Sequence, residues 1–145
     1  MVSSGQIPLY VQSVNIFYRL EPIEVFVSSD YVEGSCPYRA TLTHERSHVE
    51  AFLGIFHAGR ALLLDRLNSV TIPTEANPTL TDPANIQTMQ DTIGERMRQV
   101  ILSHSGDLVG QMKVDRADKD APTAYAAVYA QCPSTEWSKT TKSNL

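Results

Sequence analysis

The stretch TLTHERSHVEAFLGIFH, from Thr41 to His57, carries the pattern that decides the fold and most of the functional argument. Its apolar residues recur at intervals of three and four, which places them on one face of an α-helix. The same interval separates His44 from His48, and the residues between them complete the pattern H-E-x-x-H. The first question is whether this face of the helix binds a metal ion.

The helix that contains this stretch is predicted to run from about Ser35 to Asn68. Ser35 is a suitable N-cap residue, and Pro37 fits the first turn, where a backbone N–H has no helical partner. Apolar residues continue at helical spacing to Leu67, and the two glycines in the run are tolerable in a helix. The sequence therefore predicts a helix of more than 30 residues.

A second long helix is predicted after a polar, proline-bearing connection. Asp82 is expected to cap this helix, and Pro83 to occupy its first position. Gly106 and Gly110 predict that the helix ends or bends in their neighbourhood. The charged run DRADKDAP that follows is predicted to be a loop.

Residues from Tyr10 to Tyr31 alternate between apolar and polar side chains and are rich in Val, Ile, Phe and Tyr. Glu21 and Pro22 mark a turn in this segment, so two strands that form a hairpin are predicted. Together these elements predict an α+β fold. We expect an N-terminal antiparallel β-hairpin or small sheet packed with two long antiparallel helices, the first of which carries H-E-x-x-H.

The length and composition predict one globular domain over residues 1–145. The chain is 42% hydrophobic and 19% charged, which fits a folded protein with a substantial core. Residues 1–9 and 134–145 are polar enough to predict flexible ends. Trp137, inside the second of these ends, is expected to pack on the edge of the domain.

Charge and hydropathy exclude two classes of partner. The net charge is −4, with acidic and basic residues mixed along the chain, so we expect no nucleic-acid partner. No apolar run approaches the roughly 18 residues of a membrane span, so no integral membrane segment is predicted. The first residues do not resemble a signal peptide, which fits either a cytoplasmic protein or a chain that begins after a cleavage site.

The two cysteines, Cys36 and Cys132, each stand beside a proline near opposite ends of the proposed domain. This placement predicts a disulfide that closes a long loop, and two separate buried thiols are the alternative. A cysteine zinc site is not expected, because neither cysteine has a second one at ligand spacing. A disulfide favours a periplasmic or secreted protein over a cytoplasmic one.

The H-E-x-x-H pattern has a specific chemical meaning on a helix. His44 and His48 lie about 40° apart around the helix axis and one turn from each other, so both imidazoles can reach one metal ion. A zinc ion with three protein ligands keeps a fourth position for water, whose pKa falls to about 7. Glu45 lies next to that position and is expected to act as the general base.

The helix with its preceding strands resembles the zincin metallopeptidases. The wider stretch GSCPYRATLTHERSHVEAFLGIF, within the region from Tyr31 to Leu67, resembles small bacterial secreted or periplasmic proteins predicted to be zinc-dependent proteases of unknown substrate. The resemblance implies Zn²⁺, a peptide or protein substrate, export, and the roles just given for the three motif residues. The metzincin continuation is absent, because Gly54 occupies the position of its third histidine.

Two candidates for a third metal ligand fail on geometry. His57 lies nine residues after His48, which is about 180° around the helix. Glu95, the choice by analogy with gluzincins, is about nine residues too early if the two helices form an antiparallel hairpin. At 1.5 Å per residue this is roughly 13 Å out of register.

Equal counting from the two ends of the interhelical connection selects His104 as the third ligand. If Asn68 and Asp82 lie at the same level, the residues level with the histidine pair are 102–106, and His104 is at their centre. Asp107 is the alternative third ligand, and a buried core histidine is the alternative role for His104. Next in order comes the acidic run Asp115, Asp118 and Asp120.

A side chain that stabilises the developing oxyanion would complete such a site. Tyr125 is the first candidate, because a Cys36–Cys132 disulfide would hold its segment near the start of the first helix; Tyr38 is the second. We therefore expect a zinc-dependent hydrolase, in the first place a peptidase. The alternatives are a non-catalytic, metal-stabilised helical binding domain and a cell-wall amidase.

Overall fold

The computed structural model describes residues 5–138 and has the α+β architecture expected from the sequence. Its elements, in chain order, are β1 (Ile7–Leu9), α1 (Cys36–Asn68), β2 (Thr79–Thr81), a 3-10 turn (Pro83–Asn85), α2 (Ile86–Lys119), α3 (Pro122–Tyr129) and α4 (Ser134–Ser138). Of the ends predicted to be flexible, residues 7–9 form β1 and residues 134–138 form α4. Residues 1–4 and 139–145 lie outside the described part of the chain.

The bounds of α1 confirm the prediction for the first helix. Ser35 caps it as expected: the backbone N–H of Tyr38 donates to the Ser35 Oγ at 3.2 Å. This bond satisfies one of the N–H groups that the first turn leaves without a helical partner. The chain reaches Ser35 through Gly34, whose φ of +77° is a backbone conformation that glycine adopts at little cost.

Asp82 and Pro83 begin a helical segment as predicted, although this first turn is a 3-10 turn and α2 itself starts at Ile86; the end of α2 is not as predicted. Asp82 accepts a hydrogen bond from the Ala84 N–H at 2.8 Å, and a 3-10 turn leads into the α-helix at Ile86. The helix then continues past both glycines to Lys119, so the predicted end near Gly110 is wrong. A glycine costs a helix only about 1 kcal/mol relative to alanine, which the rest of a 34-residue helix outweighs.

The last turns of α2 are stabilised by pairs of opposite charge at helical spacing. Lys119 Nζ lies 2.8 Å from Asp115 Oδ1, and Arg116 Nε lies 3.3 Å from Asp120 Oδ2. Side chains four residues apart are neighbours on a helix surface, so such pairs favour helix over loop. The charged run predicted as a loop is therefore mostly helical, and it leaves α2 only at Asp120.

The small antiparallel sheet is present, although its strands differ from the predicted ones. β1 pairs with β2, and Ile7 lies opposite Thr81 and Leu9 opposite Thr79. Within the described residues, none of residues 10–33 belongs to a strand, so the predicted hairpin between Tyr10 and Tyr31 is wrong. Alternating side chains indicate an extended backbone without specifying the segment that pairs with it.

The described residues divide into two compact units, which we name the sheet unit and the disulfide unit. The sheet unit contains residues 5–19 and 58–107, and its buried side chains include Leu63, Ile93 and His104. The disulfide unit contains residues 20–57 and 108–138. Each of the long helices α1 and α2 contributes residues to both units.

The core of the disulfide unit lies where α3 meets the start of α1. Ala40, Val128 and Cys132 are buried together, and Cys36 and Trp137 pack against them. A Cys36–Cys132 disulfide links residues 96 apart in sequence, as predicted. Trp137 packs as expected, and its indole N–H donates to the backbone carbonyl of Tyr129 at 3.0 Å.

None of the helices between residues 5 and 138 is both long enough and apolar enough to cross a membrane.

Candidate metal centre

His44 and His48 project from the same face of α1 in the disulfide unit, as their spacing predicts. Their side chains are 7% and 10% exposed, and the ring centroids are 4.8 Å apart. The two Nε2 atoms approach each other to 3.3 Å. Two imidazole nitrogens therefore converge on one point beside the helix.

Asp120 supplies a third ligand atom at the same point. Its Oδ1 lies 3.3 Å from His44 Nε2 and 3.1 Å from His48 Nε2. Asp120 directly follows the last residue of α2, and its side chain is 31% exposed. Among the described residues, these three are the one group of histidine, cysteine and carboxylate side chains close enough to share a metal ion.

The spacing of the three atoms fits a metal ion. Zinc holds nitrogen and oxygen ligands at about 2.0–2.1 Å in a tetrahedron, which places the ligand atoms about 3.3 Å from one another. The observed separations of 3.1, 3.3 and 3.3 Å match that value. Two imidazoles and a carboxylate suit several divalent transition metals, so the geometry supports a metal ion without specifying its identity.

The electrostatic surroundings keep Asp120 ionised. Partial burial acts to raise the pKa of its carboxyl, but hydrogen bonds with His44 and Arg116 and the nearby His48 outweigh burial and lower that pKa. An ionised carboxylate is the form that binds a metal cation. Asp120 is therefore ready to act as a ligand at neutral pH without first losing a proton.

The residues that the sequence analysis preferred as third ligand lie in the sheet unit. His104 is 1% exposed, its ring centroid is 6.2 Å from that of Tyr18, and neither of its ring nitrogens has a hydrogen-bond partner in the described structure. Asp107 forms an ion pair with Arg66 at 2.7 Å. The structure thus groups Asp120, rather than His104 or Asp107, with the histidine pair.

The register assumption explains this difference. Equal counting placed the residue level with His44 near His104, whereas the residue beside His44 is Asp120, 16 positions later. The connection between the helices is not a simple turn, because β2 lies within it and pairs with β1. The two ends of the connection therefore need not lie at one level. Counting residues from these ends does not identify which residues of the two helices lie beside each other.

The other residues considered from the sequence have separate roles. His57 is exposed, in agreement with its position on the far side of the helix. Glu95 accepts hydrogen bonds from Arg98 and Gln99 at 2.6–3.0 Å. Asp115 pairs with Lys119, and Asp118 is exposed.

A cavity of about 200 Å³ lies beside the histidine–aspartate group within the disulfide unit. The residues that line it are Glu45, His48, Phe52, Arg116, Asp120 and Tyr125. The side chain expected to act as base and the side chain expected to stabilise an oxyanion are thus both present. Tyr38, the second candidate for the latter role, is not one of the lining residues.

Tyr125 lies against the first histidine, with 5.0 Å between the ring centroids of Tyr125 and His44. The disulfide explains this placement, since it holds the segment after α3 against the first residue of α1. Burial raises the pKa of the Tyr125 hydroxyl, and the negative charges of Asp120 and Glu45 raise it further. The phenol therefore keeps its proton at neutral pH and can donate a hydrogen bond.

Sequence reasoning missed two lining residues, Phe52 and Arg116, and ranked Asp120 last. A usable signal was present in the run DRADKDAP, because it lies about 12 residues before Cys132. A disulfide to Cys36 returns that part of the chain to the start of α1, only two turns before His44. The acidic residues closest to the tethered segment were therefore better candidates than those in mid-helix.

Comparison with protein-family models, with curated proteins and with solved structures found no match for this chain. The chemistry of the group consequently follows from its own atoms. These are two imidazole nitrogens, one ionised carboxylate oxygen and an adjoining cavity that holds a second carboxylate and a protonated phenol.

Proposed function

We propose that the protein is a zinc-dependent hydrolase that cleaves peptide bonds. The observation that carries this proposal is the group of ligand atoms from His44, His48 and Asp120, at tetrahedral spacing beside a cavity that Glu45 lines. Three protein ligands next to a cavity are typical of a catalytic zinc site, because a structural site is closed by a fourth protein ligand. The Cys36–Cys132 disulfide supports a place of action outside the cytosol, since disulfides persist in oxidising compartments.

The ion would be held by the two histidines of α1 and by Asp120, which directly follows α2. When bound, zinc polarises a carbonyl group and lowers the pKa of a coordinated water to about 7. The protein contributes the fixed positions of the ligands, because both imidazoles lie on one helical turn and are largely buried. Asp120 contributes a negative charge, whereas the two neutral imidazoles contribute none.

Glu45 is the proposed general base. It directly follows His44 in α1, and it lines the cavity together with His48 and Asp120. Its carboxylate accepts a proton from the attacking water and later passes that proton to the leaving amine. The peptide C–N bond breaks, the water oxygen forms a new C–O bond to the acyl carbon, and the transferred proton ends on the amine.

Tyr125 is proposed to stabilise the substrate's carbonyl oxygen as negative charge develops on it. Its hydroxyl is protonated at neutral pH, for the electrostatic reasons given above, and its ring lies 5.0 Å from that of His44. A hydrogen bond to a developing oxyanion lowers the barrier more than it stabilises the neutral substrate.

The test compares the wild type with Glu45→Gln and with a matched control, Glu50→Gln. Glu50 is an exposed glutamate of the same helix and does not line the cavity. We expect wild-type protein purified without chelators to contain stoichiometric zinc by elemental analysis and to cleave a mixture of synthetic peptides. Glu45→Gln should keep the zinc and lose about 10²- to 10⁴-fold in turnover, the usual contribution of a general base. Glu50→Gln should keep both.

Three outcomes would contradict the proposal. Wild-type protein that binds no zinc removes its basis. Full turnover in Glu45→Gln shows that Glu45 is not the general base. Stoichiometric iron in place of zinc favours oxygenase chemistry, because two histidines and one carboxylate also bind the iron of non-haem oxygenases.

A further inference from the structure

We propose that Arg116 binds the terminal carboxylate of the substrate, so that the site removes residues from the carboxyl end of peptides. This inference rests on the proposed hydrolase function and specifies its substrate class. Arg116 is the one arginine among the described residues that line the cavity beside the histidine–aspartate group.

Most donors of this arginine are available to a ligand. The Arg116 side chain is 72% exposed, and its one hydrogen bond in the described structure joins Nε to Asp120 Oδ2 at 3.3 Å. A guanidinium has five N–H groups in a planar fork that matches the two oxygens of a carboxylate. The four N–H groups on the two Nη atoms therefore have no protein acceptor in the described residues.

The charges of the cavity make an anionic substrate group favourable only when a metal is present. Glu45 and Asp120 supply two negative charges to the lining, and Arg116 supplies one positive charge. The lining alone thus disfavours an anion. A divalent cation changes the net charge of the lining and the ion together from −1 to +1. Arg116 is then the exposed positive group of the cavity.

Asp120 sets the distance between the ligand atoms and the guanidinium. One carboxylate oxygen faces His44 and His48, and the other faces Arg116, so the guanidinium lies directly beside the metal-ligand group. In a peptide, the terminal carboxylate follows the last peptide carbonyl by one residue, about 3.5 Å of chain. A peptide with its last bond at the metal-ligand group can therefore reach Arg116 with its terminal carboxylate.

The size of the cavity agrees with a single residue beyond the cleaved bond. Its volume of about 200 Å³ is below the roughly 300–1,000 Å³ of sites for drug-sized ligands. Phe52 supplies an apolar surface within it. An internal peptide segment would bring a neutral backbone to Arg116 and would have to continue past the cavity.

The experiment uses zinc-loaded, full-length protein and a set of synthetic peptides made in two forms, with a free carboxyl terminus and with a terminal amide. We expect wild type to cleave the last bond of the free acids with a kcat/KM about 10- to 100-fold higher than for the amides, the effect of a charge-assisted hydrogen bond. In Arg116→Gln this ratio should fall to about 1. Lys113→Gln, which removes a positive charge one turn earlier on the same helix and outside the cavity, should keep the wild-type ratio.

A binding measurement gives a readout independent of turnover. By calorimetry, zinc-loaded wild type should bind N-acetylphenylalanine about 10- to 100-fold more tightly than its amide, and Arg116→Gln should bind the two alike. Equal cleavage of acids and amides by the wild type overturns the inference and leaves the hydrolase proposal in place. An unchanged preference in Arg116→Gln, with both rates reduced, makes Arg116 a positioning residue for Asp120 and also overturns it. Absence of zinc, or of any cleavage, overturns both proposals.

Discussion

At the scale of single residues, the candidate centre depends on how Asp120 divides its two oxygens. Oδ1 faces His44 and His48, whereas Oδ2 faces Arg116. One side chain thus joins the proposed metal position to the proposed substrate-binding group. Its carboxylate is kept ionised by the same hydrogen bonds, which lower its pKa.

Replacement of Asp120 by asparagine should weaken zinc binding at least about tenfold, because a neutral amide replaces the anionic member of the histidine–aspartate group. The affinity can be measured by competition with a chromophoric chelator. Asp118→Asn is the matched control, since Asp118 is an exposed residue of the same acidic run and should have no effect. Equal zinc affinities in Asp120→Asn and wild type would remove Asp120 from the ligand set.

Glu95 illustrates how a surface carboxylate can be occupied by its own helix. Hydrogen bonds from Arg98 and then from Gln99 lower its pKa to about 2, from an ordinary value of 4.5. A lowered pKa in the folded state stabilises the fold at pH values above 4.5, and this contribution is lost as the pH falls toward 2. The Glu95 carboxylate is therefore held by hydrogen bonds from residues of its own helix, α2.

We expect the Glu95 side chain to titrate with a midpoint near 2 in wild type, as followed by NMR of its carboxyl carbon. In Arg98→Gln the midpoint should move up toward 4.5, because the largest cause of the shift is removed. Asp91, on the same helix, serves as an internal reference in both spectra. Identical Glu95 midpoints in the two proteins would show that the ion pair does not form in solution.

At the scale of elements, the length of α2 decides where Asp120, the third residue of the candidate centre, lies. The helix runs through Gly106 and Gly110 and ends at Lys119, immediately before Asp120. Neither glycine is required by close packing, because a Cβ at either position would meet no atom within 4 Å. Each glycine instead gives the unfolded chain more conformational freedom than alanine would, and this freedom is lost on folding.

Gly110→Ala should therefore raise the free energy of unfolding by about 0.5–1 kcal/mol. Urea denaturation followed by circular dichroism measures this change. Gly34→Ala is the opposing control: its φ of +77° strains a residue with a Cβ, so it should lower stability. A loss of stability in Gly110→Ala would indicate a conformation of α2 at that point other than the continuous helix.

At the scale of the whole molecule, the disulfide connects the beginning of α1 with the chain after α3. It closes a loop of 96 residues that contains every residue of the candidate centre. Closing so long a loop restricts the unfolded chain far more than the folded one. The same link holds α3, and with it Tyr125, near His44.

The double variant Cys36→Ser, Cys132→Ser should lose up to about 4–5 kcal/mol of unfolding free energy, according to the chain-entropy treatment of loop closure. Urea unfolding with and without reductant provides the measurement. Reductant should lower the midpoint of the wild type to that of the variant and leave the variant unchanged. An oxidised wild type with two titratable thiols would contradict the disulfide itself.

Those features of the fold and the site that depend on neighbouring residues could be predicted from the sequence. The histidines at positions 44 and 48 share a face because 3.6 residues form a turn, and Ser35 and Asp82 cap their helices through atoms two or three residues away. The disulfide could be predicted because both cysteines stand beside prolines and because the sequence has only these two cysteines to pair. In each case the deciding interaction is local, or the choice of partner is unique.

The tertiary structure alone decided which distant residues meet. The partner of β1 is β2 from the interhelical connection, and the residue grouped with His44 and His48 is Asp120 instead of His104. Alternating side chains indicate an extended strand, but they do not indicate which strand pairs with it. Helical periodicity indicates which residues share a face, but it does not indicate which residues of a neighbouring helix lie at the same level. Register of this kind is set by packing summed over many side chains and by the path of the connection, and neither quantity can be read from local spacing.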